Sequence, residues 1–304
     1  MKLPVLLALM LVLAMPWHAV DARASSLDAK AIGTASGAEA TTTPDGVVRI
    51  GWSRDDVPVM VDGMRLPPAA GLGSWAAFAP VGDKAMVMGD TVVFEDEVDA
   101  AMDAAFAHGL EVTGLHNHFF HDVPQVFFMH IGGQGTATEL ASAVKAMWAA
   151  IREVRRGHPS PADRFGGPMP ADGKLDAAAI ARLLGRPAPV SHGVAKVTIG
   201  RTGSMHDTPV GASMGLTTWA AFSGSDAAAA IDGDVIMTAG EVQPVLHALR
   251  RAGLHVVALH NHMIGETPAF YFTHFWGTGK AQDLAKGFKQ VLDQQGSATA
   301  KTAH

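Results

Sequence analysis

The chain has 304 residues, of which 48% are hydrophobic and 17% charged, with a formal net charge of −6. That is enough apolar material for one large domain or two ordinary ones, and the acidic balance argues against a nucleic-acid binder, which would show a basic face. The absence of cysteine excludes disulfides, thiolate metal sites, cysteine nucleophiles and a lipid-modified cysteine, so no stable membrane anchor is expected and any metal site must use imidazole and oxygen ligands.

Residues 1–24 have the pattern of an export signal. Lys2 supplies the positive start, Leu3 to Met15 is an apolar run interrupted by Pro4, and Ala22-Arg23-Ala24 matches a small-x-small cleavage site. The run is too short for a spanning helix. A periplasmic protein with a mature start near Ser25 is expected.

The remainder of the chain holds one pattern twice. Leu115-His116-Asn117-His118, Pro124, Phe128-Met129-His130, Gly133 and Gly135 return as Leu259-His260-Asn261-His262, Pro268, Phe272-Thr273-His274, Gly277 and Gly279, each 144 residues on (116 to 260, 130 to 274). Trp75-Ala76-Ala77-Phe78, Gly89-Asp90 and Glu97-Val98 recur at the same spacing as Trp219-Ala220-Ala221-Phe222, Gly233-Asp234 and Glu241-Val242. A long internal repeat of this kind sets the reading of the fold. The expected organisation is a first unit at 25–156, a Pro/Gly-rich linker at 157–173, a second unit at 174–294 and a flexible tail at 295–304.

Within each unit a short helix (27–32; 175–184) precedes a first strand (47–50; 194–199). Further strands are predicted at 57–61, 75–78 and 85–88. A helix over 95–108 stops at Gly109. Its counterpart begins near Ala239, where Thr238 and Glu241 have capping-box spacing, and Pro244 lies in its early turns. A strand (110–116; 254–260), a tight segment ending in Pro124 or Pro268 and a second strand (126–131; 270–275) come next. A Gly-x-Gly turn then leads into a long helix (136–154; 280–292). The pattern is α+β: two tandem homologous units, each a mainly antiparallel sheet with helices on one face, related by a pseudo-twofold axis.

Side chains alternate along a strand, so His116 and His118 share a face. Pairing about a turn near Asp122 sets His130 opposite residue 114 and diagonal to His116, within reach. Three imidazoles can then converge, as can His260, His262 and His274. A three-histidine site with an open position suits a catalytic metal, and Zn, Fe, Mn or Cu are the candidates. Asp122 and Glu266, four residues after His118 and His262, are the candidate general bases or fourth ligands. The competing readings are a non-metal polar or catalytic site and a buried hydrogen-bond network that duplication would have copied as well. Gly89-Asp90 and Gly233-Asp234 read first as turns and second as acceptors for a ligand histidine. Asn117 and Asn261 are suited to holding a neighbouring loop. Arg54 and Arg201 read first as surface ion pairs and second as groups for an anionic substrate. Gly133-x-Gly135 and Gly277-x-Gly279, ahead of helices, read as turns or weakly as anion sites.

These residues, with Gly200-Arg201, Met214-Gly215, Ala258 to Met263 and His274-Phe275-Trp276, resemble the LppY/LpqO family of exported bacterial proteins. Several members are lipoproteins; this chain lacks the cysteine. The resemblance implies no particular activity. The residues themselves point to a metal or small-molecule ligand, and to a metal-dependent hydrolase or, alternatively, a non-catalytic periplasmic binding or envelope-interaction protein.

Overall fold

The computed structural model describes residues 26–296. The expected export signal lies outside them. The first repeat runs α1 (Ala29–Ser36), β1 (Ala40–Thr42), β2 (Val48–Ser53), β3 (Met60–Val61), β4 (Met64–Arg65), β5 (Gly73–Val81), β6 (Lys84–Phe94), α2 (Val98–Ala107), β7 (Glu111–Asn117), β8 (Asp122–Val123), β9 (Val126–Gly135) and α3 (Ala137–Gly157). The second runs α4 (Ala177–Leu184), β10 (Val190–Ser191), β11 (Val194–Gly200), β12 (Gly203–Met205), β13 (Thr208–Val210), β14 (Thr217–Gly224), β15 (Ala229–Thr238), α5 (Ala239–Arg251), β16 (His255–His260), β17 (Glu266–Thr267), β18 (Phe270–Gly279) and α6 (Ala281–Leu292).

Twelve of the strands form one antiparallel sheet, ordered β1-β2-β5-β6-β9-β7-β16-β18-β15-β14-β11-β10. The order is a palindrome of the two repeats. They meet where β7 pairs with β16, Leu115 opposite Leu259. These are equivalent residues, and an antiparallel pair of equivalents requires a local twofold axis through it, so the expected pseudo-twofold passes between them.

Alternation decides what each sheet face does. Val87, Val93, Leu115, Met129 and Ile131 of the first repeat, and Ile231, Val235, Leu259 and Phe275 of the second, join one core with residues of all six helices. The other face carries the histidines. It is flanked by two small three-stranded sheets, β4-β3-β8 and β13-β12-β17, over satellite cores that include Phe128 and Phe272.

Across the axis the repeats are tied on the helical face. Gln243 of α5 donates to the Val112 carbonyl (2.8 Å) and accepts from its N–H (3.2 Å). The equivalent residue in α2, Asp99, instead holds Arg250 (2.6 Å) and His255, and Phe165 of the connecting segment stacks on His255.

Several expectations need correction. The strand expected over 57–61 is only Met60–Val61, with Val57 and Val59 buried in a satellite core. The Gly-x-Gly segments are not turns, because β9 and β18 run through Gly135 and Gly279. At Gly277 a Cβ would stand 2.5 Å from Leu254 Cδ2, and at Gly133 3.3 Å from Leu140 Cδ2. The missing side chains make room for packing on the helical face. Thr136 and Glu139 form the α3 capping box there. The α5 helix continues through Pro244. The expected tail starts too early: the Gln295 side chain donates to Thr218 Oγ1 and the Ile236 carbonyl, both at 2.7 Å, and residues 297–304 lie outside the described chain.

Candidate metal centre

The register brings the histidines together as their spacing predicts. His130 lies opposite Gly114 and His116 opposite Phe128; His274 lies opposite Ala258 and His260 opposite Phe272. In the first repeat the His116 ring centroid is 5.1 Å from that of His118 and 5.0 Å from that of His130. In the second, His260 is 5.0 Å from both His262 and His274. Because Leu115 and Leu259 face the core, His116 and His260 leave the axis in opposite directions on the other face, and the two clusters flank it.

The third histidine of each set is steered by an aromatic ring. His118 stacks on Phe128 (3.3 Å, 7°) and His262 on Phe272 (3.4 Å, 8°). These phenylalanines are core residues and also platforms for the site. Asn117 and Asn261 hold the loops behind, donating to the Phe119 and Met263 carbonyls.

The carboxylates nearest the imidazoles are Asp90 and Asp234. Neither is in a turn: each sits inside a long strand, with Asp90 paired opposite His130 and Asp234 opposite His274. Gly89 and Gly233 precede them because a Cβ there would meet the Trp75 or Trp219 carbonyl oxygen at 2.8 or 2.3 Å. Both aspartates are more than nine-tenths buried, and Oδ1 of each has no hydrogen-bond partner. Asp234 Oδ2 stands 3.5 Å from His262 Nε2.

Asp122 and Glu266 are given another task. Each is buried and accepts the N–H of the residue four further on, Val126 (2.7 Å) or Phe270 (2.9 Å). That bond closes a turn through the cis Val123–Pro124 or Thr267–Pro268 peptide and starts β9 or β18. His121, whose counterpart is Gly265, adopts the same left-handed backbone as that glycine (φ 59° and 92°).

Arg54 and Arg201 form ion pairs, but buried or partly buried ones rather than pairs at the surface. Arg54 is fully buried and bonds Glu97 through both terminal nitrogens (2.8 and 2.9 Å). Arg201 does the same to Glu241, at 2.6 Å twice. Each glutamate also accepts the N–H three residues before it, from Phe94 or Thr238, so the capping expected for Glu241 holds and extends to Glu97.

In the second repeat one ligand-type atom from each of His260, His262 and His274 lies within 4.8 Å of the others, a group that could hold a metal ion. The electrostatics favour a cation. Burial, then repulsion from His274 and His262, pushes His260 down to about 4, and burial followed by His274 lowers His262. Burial lifts the Asp234 carboxyl to about 6, against the pull of His274. Rings that stay neutral keep a lone pair for a metal, and a buried carboxylate without a partner lacks positive charge. In the first repeat His118 is lowered by burial and then by His116.

The fold and site define a duplicated α+β protein with a histidine-lined sheet face. The chain belongs to the family described as Domain of Unknown Function (DUF1259), whose model matches residues 30–150 and 178–294. No curated protein matches. Among solved structures, the double-ringed trimeric shell protein MSM0271 from the RMM microcompartment is 14% identical over 73% of this chain and 84% of its own, with a TM-score of 0.19. EtuB from Clostridium kluyveri is 11% identical over 83% and 90%, with a TM-score of 0.22. At such TM-scores neither likeness bears on fold or function. Among the described residues no helix is long and apolar enough to cross a membrane.

Proposed function

We propose that this is an exported, periplasmic protein of the LppY/LpqO type. In this reading it binds a divalent transition metal (Zn, Fe, Mn or Cu) through His260, His262 and His274 and uses it for hydrolysis of a small molecule. The observation that carries the reading is the convergence of three ring nitrogens within 4.8 Å beside a buried carboxylate oxygen without a partner. Three nitrogen ligands leave a position for water or substrate. A bound metal supplies Lewis acidity there. Asp234, rather than Asp122 or Glu266, is the base in this scheme: its Oδ2 stands 3.5 Å from His262 Nε2 and its buried Oδ1 has no hydrogen-bond partner, so it is placed to take a proton at the site. Asp122 and Glu266 spend their oxygens on the turns.

The test is metal analysis of protein purified without a histidine tag. At least one equivalent is expected, lost in His274→Ala. Asp234→Asn should retain metal and lose hydrolysis of chromogenic esters. Metal near zero, with melting unchanged by zinc, copper, iron or manganese, rules the reading out.

A further inference from the structure

The two clusters carry the same ligands at the same register but not in the same state. In the second repeat His274 Nδ1 lies 3.2 Å from the Gly233 carbonyl. A nitrogen facing a carbonyl carries the hydrogen, so Nε2 of His274 keeps its lone pair free for a metal. In the first repeat His116 Nδ1 lies 3.3 Å from the Asn117 carbonyl, and by the same logic its Nε2 is an acceptor. That acceptor is met by His130 Nε2 at 2.9 Å. In a pair of neutral rings His130 must therefore hold its proton on Nε2, the nitrogen turned toward the cluster.

The cause is visible in one residue. His130 packs against Gly114, where a Cβ would stand 3.2 Å from its Cδ2. The second repeat has Ala258 at that place, opposite His274. Without the methyl group the His130 ring can settle onto His116. Two features of the second repeat are kept here: Asp90 is buried opposite His130 with Oδ1 unpartnered, and Phe128 stacks on His118 as Phe272 does on His262.

We propose that His116, His118 and His130, with Asp90, form a second and weaker site for the same class of divalent metal, closed by the His116–His130 hydrogen bond until the metal displaces it. The proposal rests on the reading of the second repeat as a metal centre. Binding must break that bond and move the His130 proton from Nε2 to Nδ1. The lost net hydrogen bond weakens the site by roughly five- to tenfold.

Zn²⁺ titration of the full chain by calorimetry tests this. Two classes of one equivalent each are expected, separated by at least about fivefold. His130→Ala should delete the weaker class only, and His274→Ala the tighter. Should His130→Ala fail to fold, nitrogen NMR of the wild type serves instead: the His130 ring signals should move only after the first equivalent is bound. A single equivalent lost on His274→Ala would overturn the second site while leaving the first intact; two classes of equal affinity, or His130 signals moving with the first equivalent, would overturn its weakness and its closure by the His116–His130 bond. No Zn²⁺ binding at all would overturn both.

Discussion

In the first repeat Glu97 is held by two guanidinium groups, Arg54 and Arg155, and none of it reaches solvent. In the second, the matching Glu241 is held by Arg201, whose side chain is 21% exposed, and by backbone N–H groups. Both glutamates lie at the start of the helix that follows the aspartate-bearing strand, β6 or β15, so both repeats kept the cap. They differ in how much charge was buried with it. The histidine clusters show the same division: ligands at identical registers, but one neighbouring methyl group and one hydrogen bond set them apart. Duplication preserved the placement of groups, and their immediate surroundings diverged.

The largest expected effect separates the two caps. Glu97→Gln removes the fully buried carboxylate that two guanidinium groups share, leaving Arg54 with Asp56 and the Val92 carbonyl and Arg155 with Asp96, and removing one partner of a buried ion pair costs about 3–5 kcal/mol. Glu241→Gln leaves a partly solvated arginine and should cost about 1.5–3 kcal/mol, the range for hydrogen bonds to charged groups. Denaturant midpoints of the two variants measure the gap, and equal costs would break the comparison.

A smaller effect comes from pH. Burial would raise the Glu241 carboxyl, but Arg201 and the N–H groups of Thr238 and Gly296 outweigh it and hold it at about 2. In the unfolded chain it titrates near about 4.3. A depressed carboxyl contributes stability that is complete above the unfolded value and is lost as pH falls toward the folded one. The stability advantage of wild type over Glu241→Gln should therefore be level above about pH 5 and shrink between about pH 4.3 and 2, as read by urea midpoints.

The smallest change should sharpen the comparison most. Gly114→Ala gives the first repeat the methyl group of the second. It is expected to alter stability by less than about 1 kcal/mol, as a strand Gly→Ala exchange does. It should also turn His130 off His116, seen as separate nitrogen NMR shifts for two rings no longer bonded.

Much of this architecture is legible in the sequence. The 144-residue spacing announces two units, and strand alternation with a turn near Asp122 places His130 opposite residue 114 on the face of His116. Other features are hidden because their sequence signal has two meanings. Gly-Asp reads as a turn wherever it stands. Only pairing shows that Gly89 clears the Trp75 carbonyl so that Asp90 can lie mid-strand beside His130. Asp122 and Glu266 come after the histidines at a spacing that suits a metal ligand or a turn brace equally, and the brace is seen only when the Val126 and Phe270 N–H groups are in place. The Gly-x-Gly segments mislead for a related reason: a glycine that admits a leucine from the helical face looks, in one dimension, like one that ends a strand.

The seam at Leu115 and Leu259 has a consequence for how such a chain can arise. Taken alone, either half would present β7 or β16 as a bare edge, and bare edges recruit strands. The strand that fits by construction is another copy of itself, since an isologous pair closes with twofold symmetry and leaves nothing to polymerise. Fusing the halves makes that pairing permanent and intramolecular. It also removes the identity that a homodimer would enforce, so that a glycine can stand on one side of the axis and an alanine on the other.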